Sequence, residues 1–244
     1  MRMGVRHACG VAVAVGVILP TPVTAQDNLE WWAAVNLTAA VERIQFSNDS
    51  ESLRGFIRGL EGGLDFGRLL LRGGYAEGSL RSGSEDFQHD VADGFLLAGL
   101  RVLGGLEAAL GVQARAWITS PGTERWLLWQ MRLRYEAPLI GTLVHGYAEL
   151  WRTASGSVNA VNVLRPDGGG SEFLTSIDGK HVSKTFLGAR GGEAGIVFRG
   201  SGNAPMVRVG YTIDEARLET GGYRDSVEGF TIAIGYDSRR NQFE

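Results

Sequence analysis

Between Leu106 and Ile118 the chain alternates without a break. Leu106, Ala108, Leu110, Val112, Ala114, Ala116 and Ile118 hold one parity; Glu107, Ala109, Gly111, Gln113, Arg115 and Trp117 hold the other. Successive side chains of a strand point to opposite faces, so a period of two puts one face in an apolar medium and the other in a polar one. The polar face carries an acid, an amide and a base in mid-strand. A soluble barrel would turn its apolar face inward. A membrane barrel turns that face to lipid and lines its lumen with the polar one.

The pattern recurs. Val207, Val209, Tyr211 and Ile213 alternate with Arg208, Gly210, Thr212 and Asp214. Phe230, Ile232, Ile234 and Tyr236 alternate with Thr231, Ala233, Gly235 and Asp237. Arg125–Glu136 and Thr142–Arg152 read the same way, with weaker strands over Trp32–Phe46, Leu53–Phe66, Leu69–Leu80, Gly94–Leu103 and Ser183–Phe198. Gly191-Gly192 is expected to mark a bulge in the last of these. Hydrophobic residues make up 44% of the chain, yet no long unbroken apolar run follows the first 25 residues. Only helices and closed barrels span a bilayer with every backbone group paired, which leaves the barrel.

The connections support this. Gly67-Arg68, Gly104-Gly105, Pro138–Gly141 and Gly200–Ala204 are short. Between them lie Ser47–Ser52, Arg81–Asp93, Thr119–Glu124, Ala154–Val182 and Thr220–Ser226, mostly longer and more polar. Short periplasmic turns, longer external loops and both ends inside are the habit of bacterial barrels. The expected fold is all-β, an antiparallel meander of ten strands. A hairpin within Ala154–Val182 is read as an external projection, with twelve wall strands as the alternative.

Residues 1–25 read as a cleaved secretory signal peptide: basic Arg2, Arg6 and His7, an apolar run from Ala8 to Leu19, and a small-residue exit at Val23-Thr24-Ala25. Residues 26–244 then form a single barrel domain. Cys9, the only cysteine, falls in the leader, so the mature chain has no disulfide or cysteine metal site. The full chain has a formal charge of −3; loss of Arg2 and Arg6 with no acid makes it −5, which gives no support to nucleic-acid binding.

The signal peptide, the alternating strands and the turn/loop asymmetry together resemble small bacterial outer-membrane β-barrel proteins as a broad class. The resemblance implies outer-membrane lipid and lipopolysaccharide as surroundings and the barrel-insertion machinery as a partner. Such barrels often end in an aromatic residue, and here the chain ends Gln242-Phe243-Glu244, leaving Tyr236 or Phe243 for that role. Trp31 and Trp32 at one end, and Phe46, Trp117, Trp126 and Trp151 at the other, are read as interfacial aromatics.

The inward parity collects Arg72, Arg101, Glu107, Arg115, Arg132, Arg134, Glu136, His145, Glu149, Glu193, Arg208 and Asp214. A lumen of about ten strands is narrow, so these charges must pair or be hydrated. The favoured reading is an ion-pair network; a narrow polar conduit is the other. No catalytic motif, cofactor site or metal site is evident. The most enzyme-like cluster is His89-Asp90 with Asp86, read as lying in an external loop, where a hydrolase would place it at the rim. A soluble exported barrel holding a small apolar ligand is a third reading. Arg54 and Arg58 share parity with Phe56, Leu60 and Leu64, placing them outward near the external rim, within reach of anionic headgroups.

Overall fold

The computed structural model describes residues 29–46, 49–83, 88–118, 123–160, 182–184, 186–200, 203–218 and 224–238. Its strands are β1 (Leu29–Phe46), β2 (Asp49–Phe66), β3 (Leu69–Ser82), β4 (Gln88–Leu103), β5 (Leu106–Ile118), β6 (Thr123–Ile140), β7 (Val144–Ala160), β8 (Val182–Lys184), β9 (Phe186–Arg199), β10 (Ala204–Leu218) and β11 (Arg224–Asp237). Apart from β8 and β9, each strand pairs antiparallel with the next in sequence, and β1 closes on β11. The short β8 pairs with the far end of β7 and β9 with its near end, so the two share one wall position. The wall is a closed meander of ten strands.

The register fixes the girth. Starting at Trp31, the directly paired residues run Leu64, Leu71, Ala98, Leu110, Met131, Arg152, Arg190, Glu215 and Ser226, and return to β1 at Arg43. The path comes back twelve residues further along the strand. With about 3.3 Å per residue and about 4.8 Å between strands, that stagger implies a tilt of about 40° and a backbone radius of about 10 Å. Side chains reach inward from all sides into a tube of that size.

The wall is apolar outside. Val35, Leu60, Leu96, Leu110, Leu133, Leu150, Phe230 and Ile232 are exposed, while their neighbours Ala34, Glu61, Leu97, Glu107 and Ala233 turn inward and are buried or half-buried. Leu110 is 63% exposed and Ala233 not at all. No aqueous solvent would leave such a band uncovered. Even strand number, short turns at one end and an outward apolar band are the features of a transmembrane β-barrel, its apolar face turned to lipid. The turns at Gly67, Gly104 and Gly141 each need a positive φ (63°, 49° and 54°) that glycine adopts without steric cost.

Four expectations need correction. First, β4 begins at Gln88, so the residues read as the loop Arg81–Asp93 are largely wall. Second, Gly191 and Gly192 pair in unbroken register; the irregularity lies further up, where Leu218 and Arg217 face Phe186 and Gly188. Gly191 is glycine for another reason, since a Cβ there would strike the Trp151 ring. Third, β7 runs on to Ala160, so Val158–Ala160 are wall and not part of a projecting hairpin; the rest of that segment, 161–181, lies outside the described residues. Fourth, Trp32, Trp117 and Trp126 are buried in the barrel, at 6%, 3% and 2% exposure, and Trp151 also points inward. Trp31 does face outward, stacked on Tyr236 at 5.6 Å. Residues 1–25, Asp86 and Phe243 lie outside the described residues.

Candidate functional site

Alternation on a closed wall sends every second side chain to the axis, and the polar parity meets itself there. Seven arginines among the described residues point inward, and every one finds a carboxylate. Near the short-turn end, Arg72 binds Glu107 at 2.8 Å and approaches Asp65 at 3.6 Å, while Arg101 binds Asp65 at 3.0 Å. On the facing side Arg199 spans Glu136 at 2.7 Å and Asp237 at 3.2 Å. In the middle, Arg132 binds Glu149 at 2.9 Å, and Arg134 lies between Glu136 at 3.2 Å and Glu149 at 3.5 Å. Arg208 pairs with Glu61 and lies 3.6 Å from Glu193, which accepts a hydrogen bond from Tyr147. Higher still, Arg115 reaches Asp93 on β4 at 2.6 Å and Asp214 on β10 at 2.7 Å, tying far walls together.

Rings fill the spaces between. The Arg132 guanidinium sits 4.6 Å from the Phe95 ring centre and 5.4 Å from Trp151; Arg134 sits 4.6 Å from Tyr147. Such stacking suits arginine, whose planar group is weakly hydrated. Gln113 donates to both Asp93 oxygens and accepts from Gln130, which accepts in turn from Arg132. The charges thus form chains that cross the lumen. His145 is fully buried on the inward face of β7.

Toward the loop end the lumen becomes largely apolar, with Glu42, His89 and Asp225 buried within it. Ala40, Ile44, Leu53, Leu80, Val91, Trp117, Trp126, Leu128, Ala189 and Ala216 form one buried cluster. They come from β1, β2, β3, β4, β5, β6, β9 and β10, so the cluster spans the lumen instead of lining one wall.

His89 and Asp90 do not form a rim dyad. Both belong to β4, where consecutive residues take opposite faces. His89 is buried with its Nδ1 3.1 Å from a Glu42 oxygen and its ring 5.7 Å from Trp117. Asp90 faces outward and accepts from Ser79 at 2.6 Å and from Gln88 at 2.8 Å. Among the described residues no three His, Cys, Asp or Glu side chains converge as metal ligands. Glu107 and Glu149, which share the lumen with His145, are engaged by arginines.

Sequence reading missed Glu42, Glu61, Asp65, Asp93, Arg199 and Asp237 as luminal partners. The signal for Glu61 and Asp65 was their shared parity with Gly63, opposite Leu60 and Leu64. Asp93 was hidden by a strand start placed too late, and Arg199 and Asp237 by lying at strand ends beside the chain's short turn and exit.

No protein-family model matches the chain, and no curated protein sequence matches it. Among solved structures, it is similar to Neisserial surface protein A, at 9% identity and a TM-score of 0.40, over 84% of this chain and 96% of that one. It is similar to the β domain of the Bordetella autotransporter Brka, at 16% identity and a TM-score of 0.43, over 87% of this chain and 100% of that one. A third is Ail, the attachment invasion locus protein of Yersinia pestis, at 13% identity and a TM-score of 0.32, over 85% and 99%.

Proposed function

We propose that this outer-membrane β-barrel is a closed scaffold, one that passes neither ions nor solutes through its lumen and meets its surroundings at its rim and lipid-facing surface. One observation carries the reading: the apolar layer of Ile44, Leu53, Leu80, Val91, Trp117, Trp126 and Leu128 drawn from around the wall. A hydrated ion entering that layer would be stripped of water among packed side chains, where the interleaved polar groups Glu42, His89 and Asp225 are themselves buried. Below the layer, the paired arginines and carboxylates occupy the axis. Charges fixed in pairs offer a permeating ion neither a free partner nor a water column.

The test is conductance. Barrel refolded into a planar bilayer is expected to be silent, and the double variant Trp117→Ala/Trp126→Ala, which empties the middle of the apolar layer, is expected to produce measurable current. Steady current through the unaltered barrel, at the level of the double variant, would overturn the reading in favour of a narrow channel.

A further inference from the structure

The outward face is not uniformly apolar. In the loop-end half, from the upper part of the lipid-facing band to the rim, it carries nine arginines: Arg43, Arg54, Arg58, Arg81, Arg125, Arg152, Arg190, Arg217 and Arg224. Only four carboxylates share that face among the described residues, Glu77, Asp90, Glu215 and Glu228. No lysine is among them. At the opposite rim the outward positions are Trp31, Phe66, Leu69, Leu100, Val102, Tyr135 and their like, with Arg68 in a turn as the one charge among the described residues. The asymmetry has a direction, and it points to the leaflet on the loop side.

The pairing is more telling than the count. Arg152 stands directly opposite Arg190, Arg217 opposite Arg224, and Arg54 opposite Arg81. Like charges facing each other across a ladder lie about 5 Å apart at Cβ and destabilise a sheet. The first two pairs lie on the adjacent strands β7, β9, β10 and β11, and three of their four arginines share a single carboxylate. Glu215 binds Arg217 and Arg224 at 2.6 Å each and lies 3.7 Å from Arg190. Three guanidinium groups around one carboxylate, with Arg152 facing Arg190 beside them, leave a patch with a net charge of +3. The side chains of Arg190, Arg217 and Arg224 are 68%, 51% and 46% exposed. Arg54 and Arg81 have no carboxylate in ion-pair range among the described residues.

We propose that the Arg152, Arg190, Arg217 and Arg224 patch is a binding site for the phosphate groups of lipopolysaccharide in the outer leaflet. The Arg54/Arg81 pair repeats the same device on another side of the barrel. The argument is charge complementarity at the right depth. A polyanion removes the like-charge repulsion that the ladder imposes, and the guanidinium fork bonds phosphate oxygens in pairs where an ammonium cannot. The site runs from the upper edge of the apolar band to the loop-end rim, at the height where acyl chains give way to phosphorylated sugar. This proposal rests on the membrane placement of the barrel and is independent of whether its lumen is closed.

The experiment uses the barrel purified from membranes in mild detergent and stripped of lipid. Its affinity is measured for bisphosphorylated lipid A, for the same lipid after removal of both phosphates, and for phosphatidylcholine. The expected order is strong binding of the first and little of the other two. The quadruple variant Arg152→Gln/Arg190→Gln/Arg217→Gln/Arg224→Gln is expected to bind bisphosphorylated lipid A at least about tenfold more weakly. The matching quadruple lysine variant is expected to fall between. Folding of each variant is checked by heat-modifiable migration. Equal affinity of the unaltered barrel for phosphorylated and dephosphorylated lipid A would overturn the proposal without any variant, as would a folded glutamine variant that binds like the parent.

Discussion

Replacing Arg115 by methionine tests whether the lumen is dry. The guanidinium is 10% exposed and holds Asp93 at 2.6 Å and Asp214 at 2.7 Å, with those side chains 17% and 13% exposed. Methionine keeps much of the volume and removes the charge. Asp93 retains Gln113 as a donor, but Asp214 is left as a carboxylate inside the barrel without its cation. Breaking a buried pair in this way costs about 3–5 kcal/mol, because the remaining charge is uncompensated. In a water-filled lumen the same pair would be worth about 0–1 kcal/mol, since water would rehydrate both partners. The assay is urea unfolding of the refolded barrel in lipid vesicles, followed by tryptophan fluorescence. A control separates charge from packing: Arg115→Met/Asp93→Asn/Asp214→Asn removes the stranded charge and is expected to recover most of the loss. A loss under about 1 kcal/mol for the single variant, or no recovery in the triple, would refute the reasoning.

Further outcomes follow from the same geometry. Leu110→Arg puts a cation on the lipid-facing band and is expected to cost about 2–4 kcal/mol in vesicles, while Arg58→Leu at the outer rim changes stability by less than about 1 kcal/mol; both are read by the same unfolding assay. Gly191→Ala drives a methyl group into the Trp151 ring and is expected to destabilise by about 1–3 kcal/mol, with Trp151→Phe relieving part of it. His89→Ala removes one partner of the buried Glu42 and lowers stability, whereas Asp90→Asn on the outer face leaves it nearly unchanged; comparable losses from the two would contradict their placement on opposite faces.

Much of the fold could be read from alternation, because in a barrel the period of two carries the whole architecture. The parity of Leu106–Ile118 gave the inside and outside of β5, and the glycines at 67, 104 and 141 gave the tight turns that require a positive φ. Strand ends were harder. His89 and Asp90 looked like loop residues because an aspartate-rich stretch lacks strand propensity. Pairing with β3 and β5 carries the strand through them regardless. The aromatics misled for a related reason: Trp117 and Trp126 have the amphipathic character of interfacial residues, yet their parity sends them inward, where they pack with Leu53 and Leu80. Which face a charge takes was legible in the sequence for Arg115 and Arg208. Its partner was not, because Arg115 meets Asp214 only after the wall closes, 99 residues further on.

The most direct test of the account is the accessibility of the barrel axis to water-borne reagents. Thr231 faces inward, is 5% exposed and shares a 2.8 Å hydrogen bond with Thr38. The only cysteine in the sequence is Cys9, so a single thiol is placed in the barrel by Thr231→Cys, with Arg224→Cys as the exposed control. A charged methanethiosulfonate reagent, applied to both sides of vesicles holding the folded barrel, is expected to modify the control readily and residue 231 orders of magnitude more slowly. Modification of residue 231 at the rate of the control would mean an open, water-filled lumen and would contradict the closed barrel.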